Sequence, residues 1–231
     1  MTALLLRLAG PMQAWGTESR FDVRDTGTEP SKSGVVGLLA AALGRPREAS
    51  VDDLAALRFG VRVDREGALR DDFHTVLNVA RVPGKERDAR HAVVTRRAYL
   101  ADADFLAGLE GDPDLLGALD RALARPRWPL FLGRKAFPPA EPVRLPDRPP
   151  LGPGLRDEPL EIALCAIAWR ARGSPADRRA TLRLVLEDPA GASERRDQPV
   201  GAAFARREFA PRRTRTTFVS LGTDVAVLEL E

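Results

Sequence analysis

RFDVRDTGTEPSKSGVVGLLAAALGRP, residues 20–46, is a charged, turn-forming loop that empties into one short and very apolar helix. Ser31 or Ser33 offers a hydroxyl to the first free amides, and Gly44 followed by Pro46 stops the helix. Val35, Val36, Leu38, Leu39, Ala40, Ala41, Ala42 and Leu43 leave no polar face, so this helix belongs inside the protein. Lys32 stands at its amino-terminal mouth, between the two serines. Such a mouth offers phosphate an ammonium, hydroxyls and the positive end of the helix dipole. It fits ordinary capping of a buried helix equally well. A nucleotide-binding P-loop is excluded, because Ser31 and Thr26 stand where that motif requires glycines.

Outward from this helix, strand and helix patterns succeed one another. Ala3 to Leu8 is an apolar run closed by Gly10-Pro11 and predicts a buried strand. Leu57 to Val63 alternates, with Phe59, Val61 and Val63 on one face and Arg58 and Arg62 on the other, which predicts a half-buried strand. A hinge at Gly67 leads into FHTVL, residues 73–77. The next segment, NVARVPGKERDARHAVVTRR, is too polar and too long for a connector and predicts a projecting hairpin or loop that binds something. Ala98 to Leu106 predicts a third strand. Asp112-Pro113 opens a second helix, with Leu116, Leu119 and Leu123 at helical spacing. Trp128 to Leu132 predicts a fourth strand, followed by a proline-rich linker over 137–153.

This order predicts an α+β protein: a ferredoxin-like domain (βαββαβ, RRM-like) over residues 1–147, with a thumb at about 78–95. Leu160 to Trp169, Thr181 to Glu187, Thr216 to Leu221 and Val225 to Leu230 then read as strands, with a basic, turn-rich segment at 206–215. Residues 148–231 are therefore expected to be a β-rich part, either a small domain or strands that join the first sheet.

With 231 residues, 44% hydrophobic and 30% charged, the chain has the composition of a globular protein with a sizeable core. Of 36 Lys and Arg residues only Lys32, Lys85 and Lys135 are lysines, so the placement of the arginines carries more information than their number. Four cationic segments stand out, and every lysine lies in one of them. Arg20 and Arg24 precede Lys32; Arg81, Lys85, Arg87, Arg90, Arg96 and Arg97 follow the second strand; Arg134 adjoins Lys135; and Arg206-Arg207 opens the last segment. Guanidinium groups grip phosphate bidentately and stack on bases, which suits single-stranded RNA. Two isolated histidines and the single Cys165 give no transition-metal constellation, and no cofactor is expected. A lone cysteine, an amino terminus interrupted by Arg7 and the lack of a membrane-length apolar run predict a cytoplasmic location. Metal-independent RNA cleavage would have to draw on His74, Lys85, His91 or Tyr99.

Five segments in order, RLAGPMQAWG (7–16), RFDVRDTGTEPSKSGVVGLLAAALGR (20–45), FHTVL (73–77), RRAYLADADF (96–105) and PLFLGRKAFP (129–138), resemble the CasD subunits of type I-E CRISPR Cascade complexes, within the fifth Cas family of repeat-associated RNA-binding proteins. The resemblance is close up to residue 139 and loose beyond residue 151. It implies a ferredoxin-like subunit that caps one end of Cascade in antiviral defence and holds the 5′ handle of the guide RNA. It implies contacts with the CasC backbone subunit and the large CasA subunit, with target DNA reached only through the complex and no membrane involved. It places a thumb hairpin after the second strand. It also implies that Gln13 and Trp15 in one segment, and Ser31, Lys32 and Ser33 in another, line the handle surface near Arg134 and Lys135, with His74 and the clustered arginines completing the set. In type I-E systems another subunit cuts the precursor, so no catalysis is implied. Type I-C relatives are themselves endoribonucleases, which leaves cleavage as the alternative. A regulatory small-molecule module of the same fold is the third reading.

Overall fold

Every residue of Thr2–Ala9 is buried, and this strand, β1, is the last full-length strand before one edge of the largest sheet. The computed structural model describes residues 1–16, 23–77, 92–172 and 181–230. After β1 come the two-residue strands β2 (Met12–Gln13) and β3 (Val23–Arg24), then α1 (Lys32–Leu43) and the single turn α2 (Asp52–Ala55). Strands β4 (Arg58–Arg65), β5 (Ala68–Leu77), β6 (Ala92–Ala101) and β7 (Asp104–Gly111) lead to α3 (Pro113–Ala124). The remainder holds β8 (Leu155–Arg156), α4 (Leu160–Ala166), β9 (Trp169–Arg172), β10 (Thr181–Glu187), β11 (Ser193–Pro199), α5 (Ala203–Arg206), β12 (Phe209–Ser220) and β13 (Val227–Leu230).

The main sheet has seven strands in the order β11-β12-β10-β4-β7-β1-β8, and its neighbours are antiparallel throughout. Val185 of β10 pairs with Val61 of β4, so the late strands extend the first sheet. Leu4, Leu6 and Leu8 face the α1 and α3 side of the core, whereas Ala3 and Leu5 face α4. The α4 face explains why β4 is buried on both sides. Arg62, expected on a wet face, is fully buried, and its Nη1 donates to the carbonyls of Leu164 and Ile167 at the end of α4. Gly60 pairs with Gly108 in the floor beneath α4, and a Cβ at Gly108 would stand 2.5 Å from a methyl of Leu160.

Helix α1 matches its sequence signals. The Ser31 hydroxyl accepts from Gly34 N at 3.3 Å, and Gly44 turns left-handed at φ 73°. Elsewhere the structure corrects the expectations. Leu160 to Trp169 is helix α4 followed by the start of β9, because Leu160, Ala163 and Leu164 meet the sheet at helical spacing. Ala98 to Leu106 is two strands, broken at Asp102, whose φ is 56°. Trp128 to Leu132 forms no strand: Arg127 N and Trp128 N donate to the carbonyls of Ala42 and Ala41, closing the end of α1. The edge of β1 is instead followed by the proline-rich segment, with Ala140 N donating to Ala9 O, Arg7 N to Val143 O and Leu5 N to Gly154 O, until β8 pairs with Ala3 and Leu4. Prolines lack the amide a regular ladder needs, so the edge is covered without a long strand. The basic segment 206–215 is the end of α5 and half of β12, and β11 carried no sequence signal.

A second, smaller sheet is built on β6. One edge of β6 pairs with β5 over its full length; the other takes β3 at Arg96 and Arg97 and β2 at Leu100 and Ala101. Gly67 and Asp102 are the two points where the chain leaves and rejoins the main sheet. The expected thumb at 78–95 falls on this hairpin; its residues 78–91 lie outside the described residues, and 92–95 belong to β6. Among the described residues no helix is long and apolar enough to cross a membrane.

Candidate nucleic-acid interface

The register of the small sheet assembles the site. Arg24 on β3 lies beside Arg97 on β6, and Val23 lies beside Arg96. Arg134 comes from the turn after Gly133 and spans both strands: its Nη2 donates to Ala98 O at 2.8 Å and reaches Arg24 O at 3.5 Å. The turn is fixed from below. Leu132 N donates to Phe137 O, Phe137 N to Arg134 O, and Ala14 N to Leu132 O. Gly133, at φ 86°, passes so close to Ala14 that a Cβ would stand 1.7 Å from its carbonyl oxygen. No other residue fits there. The Arg134 guanidinium lies 5.5 Å over the ring of Phe137, which meets Tyr99 at 6.0 Å.

These three guanidinium groups repel one another. Partial burial, then the charges of Arg24 and Arg97, hold Arg134 below the ordinary arginine value, with Asp72 and Asp25 opposing only weakly. Among the described residues no ion pair neutralises Arg24, Arg96, Arg97 or Arg134 with a carboxylate within 4.0 Å. Like charges side by side on adjacent strands destabilise a sheet unless an anion bridges them. Lys135 follows on the exposed side of the turn.

The remaining expected site residues fall into three groups. Arg20, Arg81, Lys85, Arg87 and Arg90 lie outside the described residues, as does His91. Gln13, Trp15, Ser31 and Lys32 are interior. Gln13 Nε2 donates to Leu8 O and Ala103 O, and Trp15 Nε1 donates to Gln13 Oε1 at 3.1 Å. Trp15 lies so close to Gly34 that a Cβ there would stand 2.8 Å from its ring. Lys32 is 1% exposed, its ammonium 2.8 Å from Glu187. Its backbone amide donates to Asp197 at 2.7 Å, so a carboxylate of the protein already fills the place a phosphate would take. Burial lowers the Lys32 pKa despite Glu187. Ser33 is partly buried beside Ser31. Arg206 and Arg207 are exposed at the end of α5, which meets α1 through Phe204 and Gly37 and stands apart from the small sheet.

His74 is half exposed on β5, its Nδ1 3.7 Å from Asp72, and its carbonyl accepts from Thr95. Thr95 stands opposite His74, and Tyr99 is four residues further along β6. That spacing separates the two backbone positions by roughly 13 Å, and the Tyr99 ring packs against Phe137. Among the described residues no group of His, Cys, Asp and Glu could hold a metal ion. The residues that position the cluster, Gly133 and Phe137, escaped sequence reasoning, although the GRKAF turn was the available signal.

The fold recurs in known proteins. The chain is similar to the CRISPR system Cascade subunit CasD of Escherichia coli (strain K12), 38% identical over 157 residues, covering 62% of this chain and 69% of that protein. It is similar to a structure described as "Crystal structure of Cas protein", at 46% identity and a TM-score of 0.77, covering 98% of both chains. A chain of a "CRISPR RNA-guided surveillance complex" matches at 32% identity and the same TM-score of 0.77, over 97% of this chain and 93% of that one. Residues 3–215 match the family model described as CRISPR-associated protein (Cas_Cas5), and the chain belongs to that family.

Proposed function

We propose that this protein is a non-catalytic, guide-RNA-binding subunit of a CRISPR surveillance complex in the cytoplasm, holding the 5′ handle of the RNA against the β3–β6 surface. The observation that carries the reading is the cluster of Arg24, Arg97 and Arg134, which among the described residues makes no ion pair with a carboxylate within 4.0 Å, although Asp72 stands opposite Arg97 and, with Asp25, partly offsets the repulsion at Arg134. Arg96 and Lys135 extend it. Arginine forks match phosphate geometry, which suits a surface that reads the handle by shape, phosphate charge and a few base contacts.

In this reading the order β4-β7-β1-β8, with α1 and α3 on one face, is a ferredoxin-like unit in which β8 stands for the fourth strand. Residues 1–147 carry its first three strands and both helices, and 148–231 supply β8, complete the sheet and cover its second face. The CasC backbone subunit and the large CasA subunit are the proposed protein partners, and target DNA is met only through them.

The test incubates the full chain with end-labelled repeat RNA from its own locus in EDTA, followed by native and denaturing gels. A mobility shift with intact RNA is expected. The triple variant Arg24→Glu, Arg97→Glu, Arg134→Glu should flatten the salt dependence of log K by about 2, from roughly 0.7 for each phosphate no longer neutralised. Discrete cleavage that disappears in His74→Ala would overturn the reading and make this a nuclease.

A further inference from the structure

Strand β5 is paired on one side alone. It runs beside β6 from Ala68 to Leu77, and no strand among the described residues lies along its other edge, so a row of main-chain donors and acceptors faces solvent. All ten residues are exposed. The strand has no proline, no lysine and no bulge, the usual devices that keep such an edge from recruiting another strand.

The register sorts the side chains as well. Residues paired across a ladder share a face, so Leu69, Phe73 and Leu77 stand with Val94 on one face of the small sheet. Val23 joins them through its pairing with Arg96, which stands opposite Phe73. Leu69, Phe73 and Leu77 are 66%, 65% and 66% exposed. Arg24 and Arg97 lie on the opposite face, with Arg70, Asp72 and His74.

The sequence of β5 fits its own edge. About a twofold axis through Phe73, perpendicular to the sheet, β5 meets itself antiparallel with Phe73 opposite Phe73 and Leu69 opposite Leu77, all on the apolar face. On that face Asp71 stands opposite Thr75, a carboxylate against a hydroxyl donor. On the other face Asp72 stands opposite His74, and the aliphatic stem of Arg70 opposite Val76. No like charges oppose one another. An axis at Asp71 or Asp72 would set two aspartates face to face, and one at His74 would set Asp71 against Leu77 and Asp72 against Val76.

We propose that the free chain forms a twofold dimer in which the β5 edges of two copies join, centred on Phe73. Residues 69–77 then pair over roughly 30 Å, and two small sheets become one. Edge pairing leaves the face of Arg24 and Arg97 uncovered.

The test is sedimentation velocity of the full chain over a range of protein concentrations, after nuclease and high salt have removed nucleic acid. Wild type is expected to pass from monomer to dimer as concentration rises. Phe73→Lys changes an exposed position and sets two ammonium groups together at the axis, so it should weaken dimerisation at least about tenfold while keeping the wild-type circular dichroism. Leu69→Lys should weaken it too. Adding Leu77→Glu to Leu69→Lys should restore the dimer, because the Phe73 axis sets those two positions opposite each other. Wild type that stays monomeric up to about 100 μM would overturn the proposal and leave the edge to a strand of another protein. A ladder of larger species would overturn the twofold pairing. Dimerisation unchanged in Phe73→Lys would overturn the assignment to β5, and failure of Leu77→Glu to restore the Leu69→Lys dimer would overturn the register.

Discussion

Asp197→Ala tests why the mouth of α1 is closed to phosphate. The Asp197 carboxylate is buried, accepts the Lys32 amide at 2.7 Å, and takes a two-pronged contact from Arg212 at 2.6 and 2.9 Å. Arg212 is 8% exposed and lies 5.3 Å over the Phe59 ring, so it has no route to water when Asp197 is removed. Breaking a buried pair from one side costs about 3–5 kcal/mol, because the surviving charge stays desolvated. Asp197→Asn keeps an acceptor for the helix amide but not the charge, and should retain most of the loss. Lys32→Met should cost less, since Glu187 is 24% exposed and regains water.

The assay is urea unfolding of the full chain with and without inorganic phosphate. Wild type should be indifferent to phosphate. Asp197→Ala vacates an anion site between Arg212 and the helix amides, so phosphate should restore stability, by about 1.4 kcal/mol at ten times its Kd. A variant within about 1 kcal/mol of wild type at unchanged m-value would refute the buried-pair argument. Equal stabilisation of wild type by phosphate would refute the claim that the mouth is filled, and would return Lys32 to the RNA-binding set.

Other expectations are briefer. Burial works against ionising Asp64, but Arg62 and Arg7 override it and hold its carboxyl below the ordinary range. A lowered folded pKa means stability that is full above the unfolded value of about 3.9 and is lost as pH falls through the folded one. Asp64→Asn should therefore be far less stable than wild type at pH 7, with the gap in Tm narrowing below about pH 4; a gap independent of pH would count against the charge explanation. Gly108→Val would set a branched side chain where even a Cβ lies 2.5 Å from Leu160, so a loss of about 1–3 kcal/mol in denaturant is expected. An unchanged midpoint would mean that α4 does not rest on that floor.

How far the sequence discloses this molecule depends on whether the deciding partner is near in the chain. Helix α1 was legible because Ser31 and Gly44 are its own neighbours. Helix α4 was not: its first amide is satisfied by Glu110, fifty residues away, and its seat is the Gly60 and Gly108 pair. An apolar run of that length reads equally as strand or buried helix until those partners are known. The strand FHTVL after Gly67 was legible, but β5 begins earlier, at Ala68, and is exposed throughout, so no apolar alternation marked its first half. Within the segments that carry the resemblance, Gln13, Trp15 and Gly34 have an internal role: Trp15 bonds Gln13 and packs on Gly34, and Gln13 ties the loop start to Leu8. Resemblance located them; it could not say that they face inward.

The arginines show what separates a structural cation from a binding one. Arg7 interrupts LLLRLA, and Arg62 sits inside an apolar strand; each context already demanded a buried carboxylate, which Asp64 supplies to both. Arg24, Arg97 and Arg134 lie in polar sequence, where solvation alone would satisfy them. The fold nevertheless removes that freedom, pinning Arg134 to two main-chain carbonyls on a turn that only Gly133 permits. Solvated arginines would be held apart by their own repulsion. Main-chain carbonyls hold Arg134 beside Arg24 and Arg97, and the proposed function reads this trio as one half of a charge pair whose other half arrives as phosphate.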